Sequence, residues 1–319
     1  MGFRIPSLLR TNIKILITGG SGMLGLNILK AFGGTDHTIL APTRPELNCS
    51  NLLSLKSYLS VQRPEMVIHC AGLVGGISAN IESPYLFFKE NMLMGINVMD
   101  ACIDAGVSRL INISSTNLYP AAQVQGGFNE TDILAGKLST STEGYGLAKG
   151  CTAKLAEYAS KQFGVAYSSI ILSNLYGEFD NFSDGRAHMI PAIINRLHTA
   201  KVQGARVVEI WGDGSARRGF LFAEDVSSFI THLIDNNKAI PQNINVVPLR
   251  DYSVFEYNKI IAKIVGYTGE FRFNTSMPEG TKKIEVNGKV ASSLGWAEIT
   301  PIEQGISKTY NYFLQGTNK

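Results

Sequence analysis

The sequence predicts an α/β protein: a doubly wound parallel sheet with helices on both faces, followed by a smaller mixed α/β unit. Three observations carry that expectation. Short β-rich runs alternate with helical stretches through the first half of the chain. The first of those runs passes directly into a glycine-rich turn that opens a helix. After about Ser173 the alternation breaks up into shorter, mixed segments.

The expected strands of the first half are Lys14–Thr18, His37–Ala41, Met66–His69, Arg109–Ser114 and Ala166–Leu172. Runs such as Ile15-Leu16-Ile17 are apolar without alternation, as strands covered on both faces require. The intervening helices are expected at Gly22–Phe32, Leu52–Gln62, Pro84–Ala105 and Tyr145–Phe163, with Asn48-Cys49-Ser50-Asn51 supplying caps. Beyond Ser173, a polar loop over Gly177–Gly185 leads to a helix from Ile190 and a short strand, Val207–Ile210. The helix Ala223–Asn236 and strand Asn243–Val246 are expected to return to the main sheet. Residues 12–173, rejoined by 219–247, therefore read as a dinucleotide-binding domain of the Rossmann type, and 174–319 as a substrate domain. Val254 to Phe313 reads as small and mixed, and the chain shows no internal repeat.

Composition narrows the function classes. With 45% hydrophobic and 17% charged residues over 319, a large core is available and disorder is not expected. A net charge of +3 without basic runs argues against a nucleic-acid partner. The four cysteines, Cys49, Cys70, Cys102 and Cys151, lack metal-site spacing and read as free thiols in a reducing compartment, so no metal is expected. Met1 to Thr11 has too short an apolar run for a signal-peptide core, and no stretch would span a bilayer. A soluble, cytoplasmic protein without a membrane partner is the expectation.

Gly19-Gly20-Ser21-Gly22-Met23-Leu24-Gly25 follows the first strand. Glycines at 19, 22 and 25 allow a tight turn and close approach of the backbone to a pyrophosphate at the positive end of the helix. Gly25 also lets that helix lie close to the sheet. The second strand ends Leu40-Ala41-Pro42-Thr43-Arg44, with no acid for a ribose 2′-hydroxyl. Arg44 is either a 2′-phosphate ligand or a solvated loop residue; the first reading favours NADP(H) over NAD(H). Cys70, Ala71 and Gly72 close the third strand, either against the cofactor or as tight packing, and Asn91 braces cofactor or backbone.

Tyr145 and Lys149 stand four residues apart, on one face of a helix. A phenol's ordinary pKa of about 10 is too high for proton transfer at neutral pH, and a neighbouring ammonium is expected to lower it. Lys149 would also hold the nicotinamide ribose. Ser115, at the end of the fourth strand, can hydrogen-bond a substrate carbonyl and the phenol together. Each residue alone has an ordinary structural reading. Together, downstream of the glycine loop, they point to hydride transfer with Ser115, Tyr145 and Lys149 as the catalytic set.

These residues resemble the extended short-chain dehydrogenases that act on nucleotide sugars, and among them the GDP-L-fucose synthase group. The resemblance runs from about Ile13 over nearly the whole chain. Its markers include Val74-Gly75-Gly76-Ile77, Ser173-Asn174-Leu175-Tyr176-Gly177, Asp180-Asn181-Phe182, His188-Met189-Ile190-Pro191, Trp211-Gly212-Asp213-Gly214, Arg218 with Phe220-Leu221, and Pro278-Glu279-Gly280-Thr281. It implies a GDP-linked keto-sugar substrate. Implied binding residues are Arg218 at the diphosphate, Asn174 at phosphate or sugar, Lys283 as a further basic group, His188, and Trp211 either near the substrate or in the small core. Arg217 reads as the surface member of its pair. The long helices Pro84–Ala105 and Tyr145–Phe163 carry apolar residues on more than one face, which implies a homodimer through a helix bundle or else ordinary sheet packing.

Members of that group epimerise beside the ketone with a cysteine two positions after the serine, assisted by a histidine, and then reduce the ketone with NADPH. His188 matches the histidine, whereas Asn117 occupies the cysteine's position. A carboxamide has no basic form near neutral pH and cannot abstract a carbon-bound proton. Reduction without epimerisation is the resulting expectation, with Asn117 as a hydrogen-bonding substrate ligand and His188 as a sugar ligand or residual acid/base. Alternatives are the full epimerase-reductase activity, an NAD-dependent dehydrogenase or 4-epimerase, and a non-catalytic dinucleotide sensor.

Overall fold

The computed structural model describes residues 12–183, 187–236, 239–276 and 284–317. Its first half contains β1 (Lys14–Thr18), α1 (Met23–Ala31), β2 (Thr38–Leu40), α2 (Leu52–Gln62) and β3 (Met66–His69). There follow α3 (Ile77–Glu82), α4 (Pro84–Asp104), β4 (Arg109–Ser115), α5 (Glu143–Phe163) and β5 (Ala166–Leu172). The remainder comprises β6 (Asn174–Tyr176), α6 (Met189–Val202), β7 (Val207–Trp211), β8 (Arg217–Arg218), β9 (Phe220–Phe222), α7 (Ala223–Asp235) and β10 (Asn243–Val246). Last come β11 (Tyr252–Ser253), α8 (Val254–Val265), β12 (Glu270–Asn274), α9 (Lys289–Ser293) and α10 (Ile302–Thr317).

Six parallel strands form the central sheet in the order β10-β5-β4-β3-β1-β2. Because side chains alternate along a strand, each strand feeds two cores. Ile15, Ile17, Ile68 and Ile113 turn toward α1 and α7, where they meet Ile28, Val226 and Phe229. Leu16, Val67 and Leu110 turn the other way, against Leu55, Val98, Met99 and Ala156 of α2, α4 and α5. The doubly wound sheet read from the sequence is thus present, including the return of α7 and β10.

A separate apolar core joins α6, α8 and α10 through Ile194, Leu197, Tyr257, Ile261 and Ile306. Above it, β7 pairs in parallel with β12, and β6 with β9. β7 matches the strand expected at Val207–Ile210, whereas the three-residue β6 and β9 are missing from the sequence reading, because strands so short carry no periodicity. No helix among the described residues is long and apolar enough to cross a membrane.

Candidate active site

Strand order reverses between β1 and β3, and the carboxyl ends of those two strands open a crevice. The chain turns there with Gly19 at φ +70°, a conformation side chains rarely adopt, and a Cβ on Gly19 would stand 2.7 Å from the Ala71 backbone. A Cβ on Gly25 would run into the Gly19 carbonyl, so the start of α1 can lie against the turn only with glycine present. Gly22 caps α1 without a side-chain hydrogen bond, leaving first-turn N–H groups for an anion. These backbone surfaces fit the pyrophosphate of a nicotinamide dinucleotide. Asn91 braces the next turn: its Oδ1 accepts from the Leu73 N–H at 3.0 Å and its Nδ2 donates to the Leu73 carbonyl at 3.0 Å. Of its two readings, brace for cofactor or for backbone, the structure shows the backbone one.

The catalytic candidates meet where β4 ends and α5 begins. Glycines flank Tyr145 for a packing reason: a Cβ on Gly144 would stand 2.6 Å from the Pro84 carbonyl oxygen, and one on Gly146 would strike that of Asn117. The first turn of α5 is therefore pressed between α4 and the Ser115–Asn117 turn. Ser115 and the Tyr145 phenol line the same cleft, with the Ser115 Oγ accepting from the Asn117 N–H at 3.3 Å. The Lys149 ammonium donates to the Ile113 carbonyl at 2.9 Å and lies 5.9 Å from the centre of the Tyr145 ring. Burial pushes the Tyr145 phenol up to about 12, against the opposing effect of Ser115, and pushes Lys149 down to about 8. The expected lowering of the phenol by Lys149 is thus reversed: desolvation outweighs a cation already satisfied by a carbonyl. A protonated phenol is the form that a reductive step consumes.

One cleft of about 1270 Å³ takes in every residue predicted for the site except Lys283, which lies outside the described residues, as does the Pro278–Thr281 marker. Arg44 lines it at the rim beside Pro42. Asn117 is half-buried, and its carboxamide makes no hydrogen bond among the described residues. Two thiols, Cys49 and Cys70, also line the cleft, and burial pushes them up to about 11 and about 12. His188 caps α6 without a side-chain hydrogen bond, and burial holds its imidazolium below the ordinary range, so it is neutral. Asn174 donates to the Gly219 carbonyl at 3.3 Å, which leaves its own oxygen for a ligand.

Arg217, with its side chain 40% exposed, lies at the surface as expected, but it is ion-paired there. Its Nε donates to Asp251 at 2.7 Å and its Nη1 to Glu256 at 3.3 Å, tying β8 to α8. Arg218 lines the cleft, half-buried. Trp211 is 45% exposed on the cleft rather than packed in the small core. Sequence reasoning missed Arg196, which enters the cleft from α6 while its Nη2 donates to Asn258 at 3.1 Å. No local motif surrounds it, and only the packing of α6 on α8 brings it there.

Such an arrangement can hold a dinucleotide along β1 and β3, a ketone at Ser115 and Tyr145, and an anionic group at Arg218. A model described as the NAD dependent epimerase/dehydratase family matches residues 15–247. A GDP-L-colitose synthase of Yersinia pseudotuberculosis is 43% identical over 96% of this chain and 99% of its own length. A GDP-L-fucose synthase of Azorhizobium caulinodans is 39% identical over 95% of this chain and 97% of its own. The solved structure of MlghC, a GDP-mannoheptose C4 reductase from Campylobacter jejuni with NADP bound, superposes with TM-score 0.84 at 26% identity, covering 96% and 99% of the two chains. The chain belongs to the NAD dependent epimerase/dehydratase family and is an NAD(P)-dependent oxidoreductase.

Proposed function

We propose that this protein uses NADPH to reduce the 4-keto group of a GDP-linked 6-deoxyhexose or heptose, without epimerisation at the neighbouring carbons. The observation that carries the reading is the pairing of an assembled Ser115–Tyr145–Lys149 set with Asn117 at the position beside it. The relatives named for GDP-sugar synthesis and C4 reduction support the substrate class.

When bound, a nicotinamide would supply the hydride for the carbonyl carbon. Gly19, Ser21, Gly22, Met23, Leu24 and Gly25 hold the pyrophosphate side, and Ala71 and Gly72 leave room for the adenosine. Arg44 meets a 2′-phosphate, which is the basis for NADP(H) over NAD(H). Ser115 donates to the ketone oxygen and Tyr145 transfers its proton to that oxygen as the alkoxide forms, in a site that excludes water. Lys149 keeps a positive charge beside the phenol and holds the ribose.

Epimerisation needs a base at the α-carbons. Asn117 cannot serve, and both cleft thiols stay protonated at neutral pH. His188, neutral and without a side-chain hydrogen bond among the described residues, is assigned to a sugar hydroxyl. Asn174, Trp211 and Arg218 take the rest of the GDP-sugar, with Lys283 a further cation. We place the reaction in the cytoplasm, where the free thiols stay reduced. Exposed Tyr85, Leu86, Phe88 and Tyr158 on α4 and α5 support a homodimer, which light scattering would report as twice 34.7 kDa. The direct assay is turnover of GDP-4-keto-6-deoxymannose and its heptose analogue with NADPH. One NADPH consumed per C4 alcohol formed is expected; no turnover with either sugar overturns the reading.

A further inference from the structure

The wall of the cleft beyond Arg218 contains a carboxylate that the reduction does not use. Glu209 lies on β7 two residues before Trp211, so both side chains share the less buried face of the strand, and both residues line the cleft. Running from Glu209 past Trp211 and the turn at Gly212–Gly214 to Arg218, the wall offers an acid, an aromatic surface and a cation in sequence.

The acid is held in place from the neighbouring strand. In the register of β7 and β12, Glu209 pairs with Arg272 and Trp211 with Asn274. The Asn274 amide donates to Glu209 Oε1 at 2.9 Å, and its own oxygen is fixed by the Ser276 hydroxyl at 2.6 Å. Arg272 stands 3.9 Å from Oε2, beyond hydrogen-bonding distance, and Oε2 accepts no hydrogen bond among the described residues. A fixed carboxylate therefore presents an open acceptor to the cleft.

From this geometry we infer that Glu209 reads the nucleobase and selects guanine; the inference rests on the GDP-sugar reading above. Guanine carries N1–H and the N2 amino group side by side, two donors that match a carboxylate through charge-assisted hydrogen bonds. Adenine presents an acceptor at N1, and uracil flanks its single N–H with two carbonyl oxygens, so each meets the carboxylate with repulsion. Trp211 offers a surface along the base and ribose, and Arg218 takes the diphosphate. A polar group left unmatched when the base covers it penalises the wrong base more than a missing apolar contact would.

The test is calorimetric titration of GDP, IDP, ADP and UDP into wild-type protein and Glu209→Gln, both saturated with NADPH. IDP is the informative probe, because it keeps N1–H and lacks the amino group. Wild type is expected to prefer GDP over IDP by roughly tenfold, and E209Q to lose most of that preference along with roughly tenfold in GDP affinity. NADPH binding, read by fluorescence quenching, should be unchanged in the variant. An equal loss for GDP and IDP marks a purely structural glutamate and overturns the inference, as does an unchanged preference for GDP. Wild-type protein that binds UDP or ADP more tightly than GDP instead refutes the GDP-sugar reading itself.

Discussion

The two halves of the cleft are built by different means. Along β1 and β3 the surface is backbone: Gly19 and Gly25 leave no room for a Cβ, and a helix start with no side-chain cap opens onto the cleft. Across the cleft the surface is side chain, with Asn117, His188, Arg196, Trp211 and Arg218 converging from separate elements. A backbone cradle recognises what all dinucleotides share, whereas side chains on short strands and helix starts can change substrate without disturbing the fold. The difference predicts that the two halves fail independently.

The largest effect should come from Tyr145→Phe, which removes the proton donor and leaves the cradle whole. Ketone reduction should fall by about 10²–10⁴-fold, while NADPH quenching of protein fluorescence stays as in wild type. Equal loss of both would show that the halves are coupled. Gly25→Ala should do the reverse damage. Its methyl meets the Gly19 carbonyl, and overpacking of this kind costs roughly 1–3 kcal/mol. NADPH affinity and melting temperature should drop together, with no selective loss for the sugar.

Arg44→Ala sharpens the contrast within the cofactor half. Loss of a charge-assisted phosphate contact should weaken NADPH by about tenfold and leave NADH unchanged. The smallest effect is in pH. Lys149 loses its proton as pH rises through about 8, well before an exposed lysine would, because burial disfavours its charge. The kcat/KM for NADPH should be level below that point and decline above it. Tyr145 stays protonated throughout that window, since its phenol titrates at about 12.

The same contrast explains what could be read from the sequence. The cradle is local: strand, glycine turn and helix are contiguous, so Gly19 through Gly25 announce both the fold and its ligand. Tyr145 and Lys149 are also local, one helical turn apart, and Ser115 follows from its place at a strand end. Their electrostatics were not legible, because spacing gives proximity but not burial, and burial reverses the direction of the Tyr145 shift. Arg217 and Arg218 are adjacent in the chain and both line the cleft, yet only the fold shows that Arg217 is tied to Asp251 and Glu256. Arg196 and Glu209 have no motif at all, and only tertiary packing brings them to the cleft wall.

The central claim is that a reductase set operates here beside an amide that cannot deprotonate carbon. Turnover of GDP-4-keto-6-deoxymannose with NADPH in D2O, followed by NMR of the product, tests it most directly. The account predicts a C4 alcohol with hydrogen, not deuterium, at the carbons on either side. Deuterium at either carbon, above the level of a control without protein, would contradict it and return a proton-abstracting base to this cleft.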